Sequence, residues 1–283
     1  MPPRSHPTAR QERLGAELRK MRERAGMTAR EAGELLGTGP IQISHIEAGR
    51  IGVSEERLRR LASHYRCADA ELVDALVSMA TERGRGWWEA YRGVLSSRSL
   101  DLAELEHRAR RLCSLEIVHV PGILQTEDYI RAIHTYASPQ PTADYLEAVV
   151  GFRLQRGQAL VGKPANHFSA VIHEAALRIR VGDRKVAREQ LAFLLDVAEG
   201  PTAMVRVIPF DVDGFAGSGY SMLYAEGPVA DLDTVHLDAA HGSVFLHAEA
   251  QLDAYRGLFE KAADLALSPA DSRKMISRIA RDL

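Results

Sequence analysis

Apolar positions in the first eighty residues recur three or four apart, with polar residues on the intervening faces, which is the period of amphipathic helices. Leu14, Leu18, Met21 and Ala25 line one side of a helix over 12–25, and Arg13, Arg19, Lys20, Arg22 and Arg24 line the other. From Thr28 to Arg50 the pattern gives two short helices and a tight turn. Thr28 is an N-cap and Glu31, three residues on, completes a capping box. Ala32 and Leu36 share the inner face. Gly37 stops the helix where the backbone turns left-handed. Pro40 opens the next helix in its first turn, where a missing N–H does no harm, and Ile43 and Ile46 point inward. Ser54 caps a helix bearing Leu58, Leu61, Ala62 and Tyr65, and 68–80 repeats the pattern with Leu72, Ala75, Leu76 and Met79. These elements predict an all-α, five-helix domain over 12–80. A proline-containing flexible arm over 1–11 precedes it, and a polar, glycine-bearing linker over 81–86 follows it.

Beyond the linker the period changes along the chain. Trp87, Trp88 and Tyr91 open a helical pattern that extends to about Ser114, with the paired tryptophans as core or interface anchors. Short β-branched and aromatic runs at 168–172, 203–208, 219–224, 234–237 and 243–246 predict strands of a mainly antiparallel sheet. Helical periodicity occupies 143–160, 184–198, 248–266 and 269–281, the last announced by Ser268 and Pro269. The fold class is α+β overall: an all-α N-terminal domain followed by a mixed α+β regulatory or partner-binding domain over 87–283.

Charge sharpens this division. The net charge of −2 is unremarkable, but residues 1–66 hold thirteen Lys+Arg against eight Asp+Glu, and the rest of the chain is correspondingly acidic. Positive charge thus gathers on the first helices, where phosphate contact would need it. Cys67 and Cys113 are the only cysteines, too few for a disulfide framework or a cysteine zinc site. No apolar run approaches a membrane span and no signal-peptide core opens the chain, so a cytoplasmic, nucleoid-associated protein without membrane contact is expected.

A small residue at 33, glycine at 37 and inward aliphatics at 43 and 46 is the spacing of a DNA-binding helix-turn-helix. The small residue lets two helices cross closely, the glycine makes the turn, and the aliphatics fix the angle. The outer helix is then free to enter the major groove of duplex DNA. The tail Ile-Ser-His-Ile-Glu-Ala-Gly-Arg (43–50) resembles the recognition helix of the lambda repressor-like (XRE) family. Ala29 and Gly33 depart from that family's usual glutamine and alanine, and Pro40 removes one base-reading side chain, so specificity does not carry over. On this basis Ile41, Gln42, Ser44 and His45 are the expected base readers, and Arg30, Thr38 and Arg50 the expected phosphate contacts. One helix reads few base pairs, so a homodimer is expected.

From Val120 nearly to the end, the chain resembles the C-terminal domain of a group of actinobacterial helix-turn-helix regulators. The resemblance is carried by Val-Pro-Gly-Ile-Leu-Gln-Thr-Glu-Asp-Tyr (120–129), His-Glu-Ala-Ala-Leu-Arg (173–178), Arg-Glu-Gln-Leu (188–191), Val-Ile-Pro-Phe (207–210) and Ala-Leu-Ser-Pro-Ala-Asp-Ser (266–272). It implies an antitoxin-type regulator, encoded near a small protein partner, with a C-terminal domain of uncharacterised function. Gly157 departs from the usual glutamine. Gln125, Tyr129, Phe210 and Phe215, taken from the shared motifs and the neighbouring glycine-bearing loop for their apolar bodies and polar tips, are the candidate ligand or partner contacts. Two alternatives stand beside a ligand- or partner-sensing regulator: an antitoxin-type interaction module repressing its own operon, and a DNA-tethered enzyme. The enzyme reading draws on His167, His173, Glu174, His236, Asp238, His241, His247 and Glu249. No second histidine follows His173-Glu174 at the zinc-protease spacing, and Gly217-Ser218-Gly219 lacks both the nucleophile-elbow and dinucleotide-loop patterns. No catalytic residue, metal site or cofactor is therefore expected.

Overall fold

A computed structural model of the chain describes residues 3–82, 84, 86–136, 140–158, 160, 167–201, 203–215, 221–239 and 242–283. They form two compact units, one of Met1–Trp87 with Pro228–Leu232, the other of Trp88–Gly227 with Asp233–Leu283. Among the described residues no helix is long and apolar enough to cross a membrane.

The first unit is built on α1 (Ala9–Arg24), α2 (Ala29–Leu35), α3 (Pro40–Glu47), α4 (Glu55–His64) and α5 (Ala70–Thr81). Each helix start has a local cause. Thr8 and Gln11 form one capping box and Thr28 and Glu31 another, Ser54 and Asp69 cap through side-chain oxygens, and α3 starts at Pro40. Helix α1 begins three residues ahead of the periodic pattern, because its cap is Thr8 and its first turn carries no core residue. Arg4, in the expected arm, donates its backbone N–H to the Arg50 carbonyl at 2.9 Å. Leu18, Ile43, Leu58, Leu61 and Leu76 fill the centre and are essentially fully buried. Burial of each such side chain contributes roughly 1.5–3 kcal/mol. Leu232 belongs to the same core, with Val229 packed against it. Beside them, the Arg13 guanidinium donates to the Asp231 carbonyl and Lys20 Nζ lies 3.5 Å from the Asp231 carboxylate.

The second unit is one six-stranded mixed sheet with helices on both faces. Its strands are β1 (Arg111–Glu116), β2 (Phe168–His173), β3 (Ala203–Ile208), β4 (Met222–Glu226), β5 (Thr234–Ala239) and β6 (Gly242–Leu246), in the order β3-β2-β1-β4-β5-β6. The β1–β2 and β2–β3 pairs are parallel and the other three are antiparallel. The helices are α6 (Ser97–Arg108), α7 (Glu127–Thr135), α8 (Ala143–Gln158), α9 (Glu174–Arg178), α10 (Arg184–Glu199), α11 (Glu249–Leu265) and α12 (Pro269–Asp282). Leu112, Phe168, Ile172, Val205, Leu194 and Ile276 anchor the core on one face; Leu115, Val171, Ile208, Val235 and Phe259 anchor that on the other. Between β4 and β5 the chain leaves the unit and returns, and the Gly227 N–H donating to the Asp233 carboxylate at 2.9 Å joins the two ends of that excursion.

One expected helix is absent. The pattern predicted helix from Trp87 to about Ser114, but the chain makes a short 3₁₀ turn over Trp87–Tyr91, then α6, then β1. Strand β1 has neighbours on both edges and helices over both faces, so Leu112, Cys113, Ser114 and Leu115 are all buried. A strand buried on both faces has no alternation to read. Helix α7 was likewise not resolved as a separate element by periodicity. The strand expected over 219–224 starts at Met222; Gly217, Ser218 and Gly219 lie outside the described residues, as do Arg83, Arg85 and His241.

Candidate nucleic-acid interface

The geometry of the first unit follows from two close helix contacts. A Cβ at Gly33 would sit 2.7 Å from the Thr38 carbonyl oxygen, so the alanine common at this place has no room while the turn returns against α2. Gly37 makes that turn at φ +64, a conformation glycine adopts without steric cost. A Cβ at Gly15 would meet the Glu47 carbonyl oxygen at 2.3 Å, so α1 lies directly against the end of α3. A glycine inside an amphipathic helix was the available signal for Gly15, and the periodic pattern passed over it.

The contact is locked by charge. Arg22 grips Glu47 with two parallel bonds, Nε to Oε1 at 2.6 Å and Nη2 to Oε2 at 3.0 Å, and its third nitrogen donates to the Met27 carbonyl at 2.6 Å. The carboxylate holds Arg22 above its ordinary pKa, and burial near Glu47 pushes the Tyr65 hydroxyl up to about 12. Glu47 is therefore part of the scaffold. Arg22, placed by sequence on the solvated basic face, is buried.

Held this way, α3 hides Ile43 and Ile46 and leaves Ile41 72% exposed. Ser44 is exposed beside it, with its hydroxyl donating to the Pro40 carbonyl at 3.1 Å, while Gln42 and His45 are half-buried. The Thr38 hydroxyl donates to Gln42 Oε1, which fixes the carboxamide's orientation and leaves it to act as an N–H donor. Arg50 is exposed just past the helix, its N–H bonded to the His45 carbonyl at 2.9 Å. Arg30 is exposed on α2, paired with Glu34 at 3.1 Å. The four expected base readers thus lie on or beside the outer side of one short helix, with the expected phosphate-binding residues on the neighbouring segments.

The four candidate contacts of the second unit do not form one patch. Gln125 and Tyr129 are buried: Gln125 Nε2 donates to the Val120 carbonyl at 3.0 Å, and the Tyr129 hydroxyl lies 3.5 Å from the Val120 N–H. They hold the start of the Val-Pro-Gly-Ile-Leu segment and offer no surface to a partner. Phe210 is 58% exposed. Its ring and that of Phe215 flank His173, with centroids 5.2 and 5.0 Å away. His173 Nδ1 accepts from the Ala175 N–H and so caps α9, while Glu174 accepts from the Phe210 N–H at 2.9 Å and Arg178 at 2.6 Å. His167 is buried against the Arg110 carbonyl. His167 and His173 thus have local structural duties, and no group of His, Cys, Asp and Glu among the described residues could hold a metal ion.

Comparison with known families divides the chain in a similar way. Residues 13–76 match a helix-turn-helix domain (HTH_31), and residues 99–278 match a domain of unknown function (DUF5753). No curated protein and no solved structure matches the chain. The first match covers the helices that present α3 and supports DNA binding by a regulator of the helix-turn-helix type. The second covers well over half of the residues, and the chain belongs to the DUF5753 family, here joined to an N-terminal helix-turn-helix.

Proposed function

We propose that the protein is a sequence-specific transcriptional regulator that binds operator DNA as a homodimer and whose C-terminal unit responds to a small ligand or protein partner without catalysis. The carrying observation is the outer face of α3. An isoleucine is left 72% exposed there, with Ser44 and His45 alongside and arginines on both flanking segments. An exposed aliphatic suits a thymine methyl, hydroxyl and imidazole groups suit base edges, and guanidinium groups suit phosphates. Two copies on a dyad would read half-sites about 34 Å apart. The reading needs no cofactor and assigns no catalytic residue. Selection of bound sequences from a random duplex library tests it. The expected result is a two-fold symmetric motif that changes when Ile41 and His45 are both replaced by alanine. Failure to enrich any motif, or enrichment of the same motif by the double variant, would overturn the reading.

A further inference from the structure

The apolar face that packs α10 and α12 over β1, β2 and β3 turns polar as it crosses toward β5. Ser114 pairs with Leu223, Leu223 with His236 and His236 with Phe245, so these side chains lie in one row on the same face. Two residues along each strand, the period-two pleat returns Glu116 and Asp238 to that face. Helix α8 contributes Arg153 and Arg156: Gln125 ties Arg153 to the Val120 carbonyl, just past the end of β1 that carries Glu116, and both guanidinium groups feel the Asp238 charge.

The ion pairing in this cluster is incomplete. Arg156 is matched by Glu106 through two bonds, at 2.7 and 2.5 Å. Arg153 has a single hydrogen bond among the described residues, to the Gln125 carboxamide oxygen at 2.8 Å, and no ion pair. Asp238, exposed at the rim, has neither a hydrogen bond nor an ion pair among the described residues. His236, 7% exposed at the base, has a buried Nε2 without a hydrogen-bond partner. Glu116 accepts from the Ser114 hydroxyl at 2.9 Å, and desolvation pushes its carboxyl up to about 7, so near neutral pH it is divided between the protonated and ionised forms. A half-buried cation without an ion pair and a buried imidazole nitrogen without a partner are costly unless something pairs with them, and the exposed Asp238 carboxylate at the rim is free to take part.

We propose that this cluster is a binding site for a small zwitterion of the α-amino-acid type, with its carboxylate on the Arg153 guanidinium and its ammonium group toward Asp238. The planar guanidinium fork matches a carboxylate, and one unmatched charge of each sign calls for a ligand that carries both. Gln125 then acquires a role: it orients Arg153 and ties it to the Val120 carbonyl. His236 Nε2 and the Glu116 carboxyl are left to recognise a polar group on the ligand's side chain. This names the ligand of the sensing role proposed above, and it rests on that role only for any effect on DNA.

The test uses the full chain and three sets of size-matched probes: the free L-α-amino acids, the same carbon skeletons without the amino group, and the corresponding amines without the carboxylate. Thermal shift and isothermal titration are read in the absence of DNA. The expected result is one-to-one binding of one or a few amino acids. Loss of either charged group from the probe should weaken binding at least tenfold, as should Arg153→Gln or Asp238→Asn. Asp238 is exposed, so its variant keeps the test open if Arg153→Gln fails to fold. No binding of any amino acid at millimolar concentration would overturn the proposal, as would binding that both variants leave unchanged. Operator affinity of the unliganded Asp238→Asn chain is measured alongside. Its retention separates failure of this site from failure of the DNA-binding reading.

Discussion

His45 and Arg50 are linked by a backbone hydrogen bond of 2.9 Å, yet their side chains should fail in different ways when removed. His45→Ala should change preference at one base pair, at a cost of about 1–3 kcal/mol there. Arg50→Ala should weaken all operator variants alike and reduce the slope of log affinity against log salt by about one. Binding to a panel of single-base operator variants at several salt concentrations checks both. In the second unit Glu116 makes stability depend on pH. Its folded pKa, about 7, lies above the ordinary 4.5, so between these values the native state holds a proton that the unfolded chain releases. Stability therefore falls as pH rises through this window, by about 3 kcal/mol at most. Thermal unfolding of wild type and Glu116→Gln from pH 5 to 8 should show the variant losing less. The exposure of Arg50 and the position of His45 beside the outer face of α3 were legible from the motif alone. The Glu116, Arg153, His236 and Asp238 cluster was not, because three of its members come from strands whose register no local pattern announces.

At the scale of elements, the capped helices were legible because their causes are local. Thr28 with Glu31 and the inward pair Ile43 and Ile46 set α2 and α3 within twenty residues. Strand β1 was illegible because burial on both faces erases the alternation that marks a strand, and its partners β2 and β4 lie some fifty and a hundred residues downstream. Tertiary packing also reverses an expectation drawn from helix propensity. By propensity alone Gly33→Ala would stabilise α2 by about 1 kcal/mol. A Cβ 2.7 Å from the Thr38 carbonyl cannot be accommodated without moving the turn backbone. The substitution should therefore destabilise the first unit by about 1–3 kcal/mol, the usual cost of overpacking. Chemical denaturation followed by circular dichroism decides the sign. Leu232→Ala should likewise destabilise the first unit, by about 2–4 kcal/mol, since the side chain is 6% exposed in that unit's core.

For the whole molecule, the boundary between units in space is not a boundary in sequence. Pro228–Leu232 follows β4 and precedes β5 yet belongs to the first unit, where it supplies a buried leucine and the Asp231 contacts to Arg13 and Lys20. No amphipathic pattern marks a five-residue insertion of this kind, so the sequence alone reads the helical domain as complete by residue 80. A chain cut after residue 84 should then lose two separable things. Its first unit should unfold more easily, by about the amount that Leu232→Ala costs the full chain, because that core position is vacated. It should also bind operator DNA far more weakly than this instability explains if the C-terminal unit supplies the dimer contacts. A tethered second half-site raises apparent affinity by about 10²–10⁴ without any new contact. Sedimentation should find the full chain dimeric and the cut chain monomeric at micromolar concentration, while Leu232→Ala stays dimeric. If the cut chain binds only as weakly as its stability loss requires, or if the full chain sediments as a monomer both free and on its operator, the dimer model fails. The helix-turn-helix would then act through a single copy of α3.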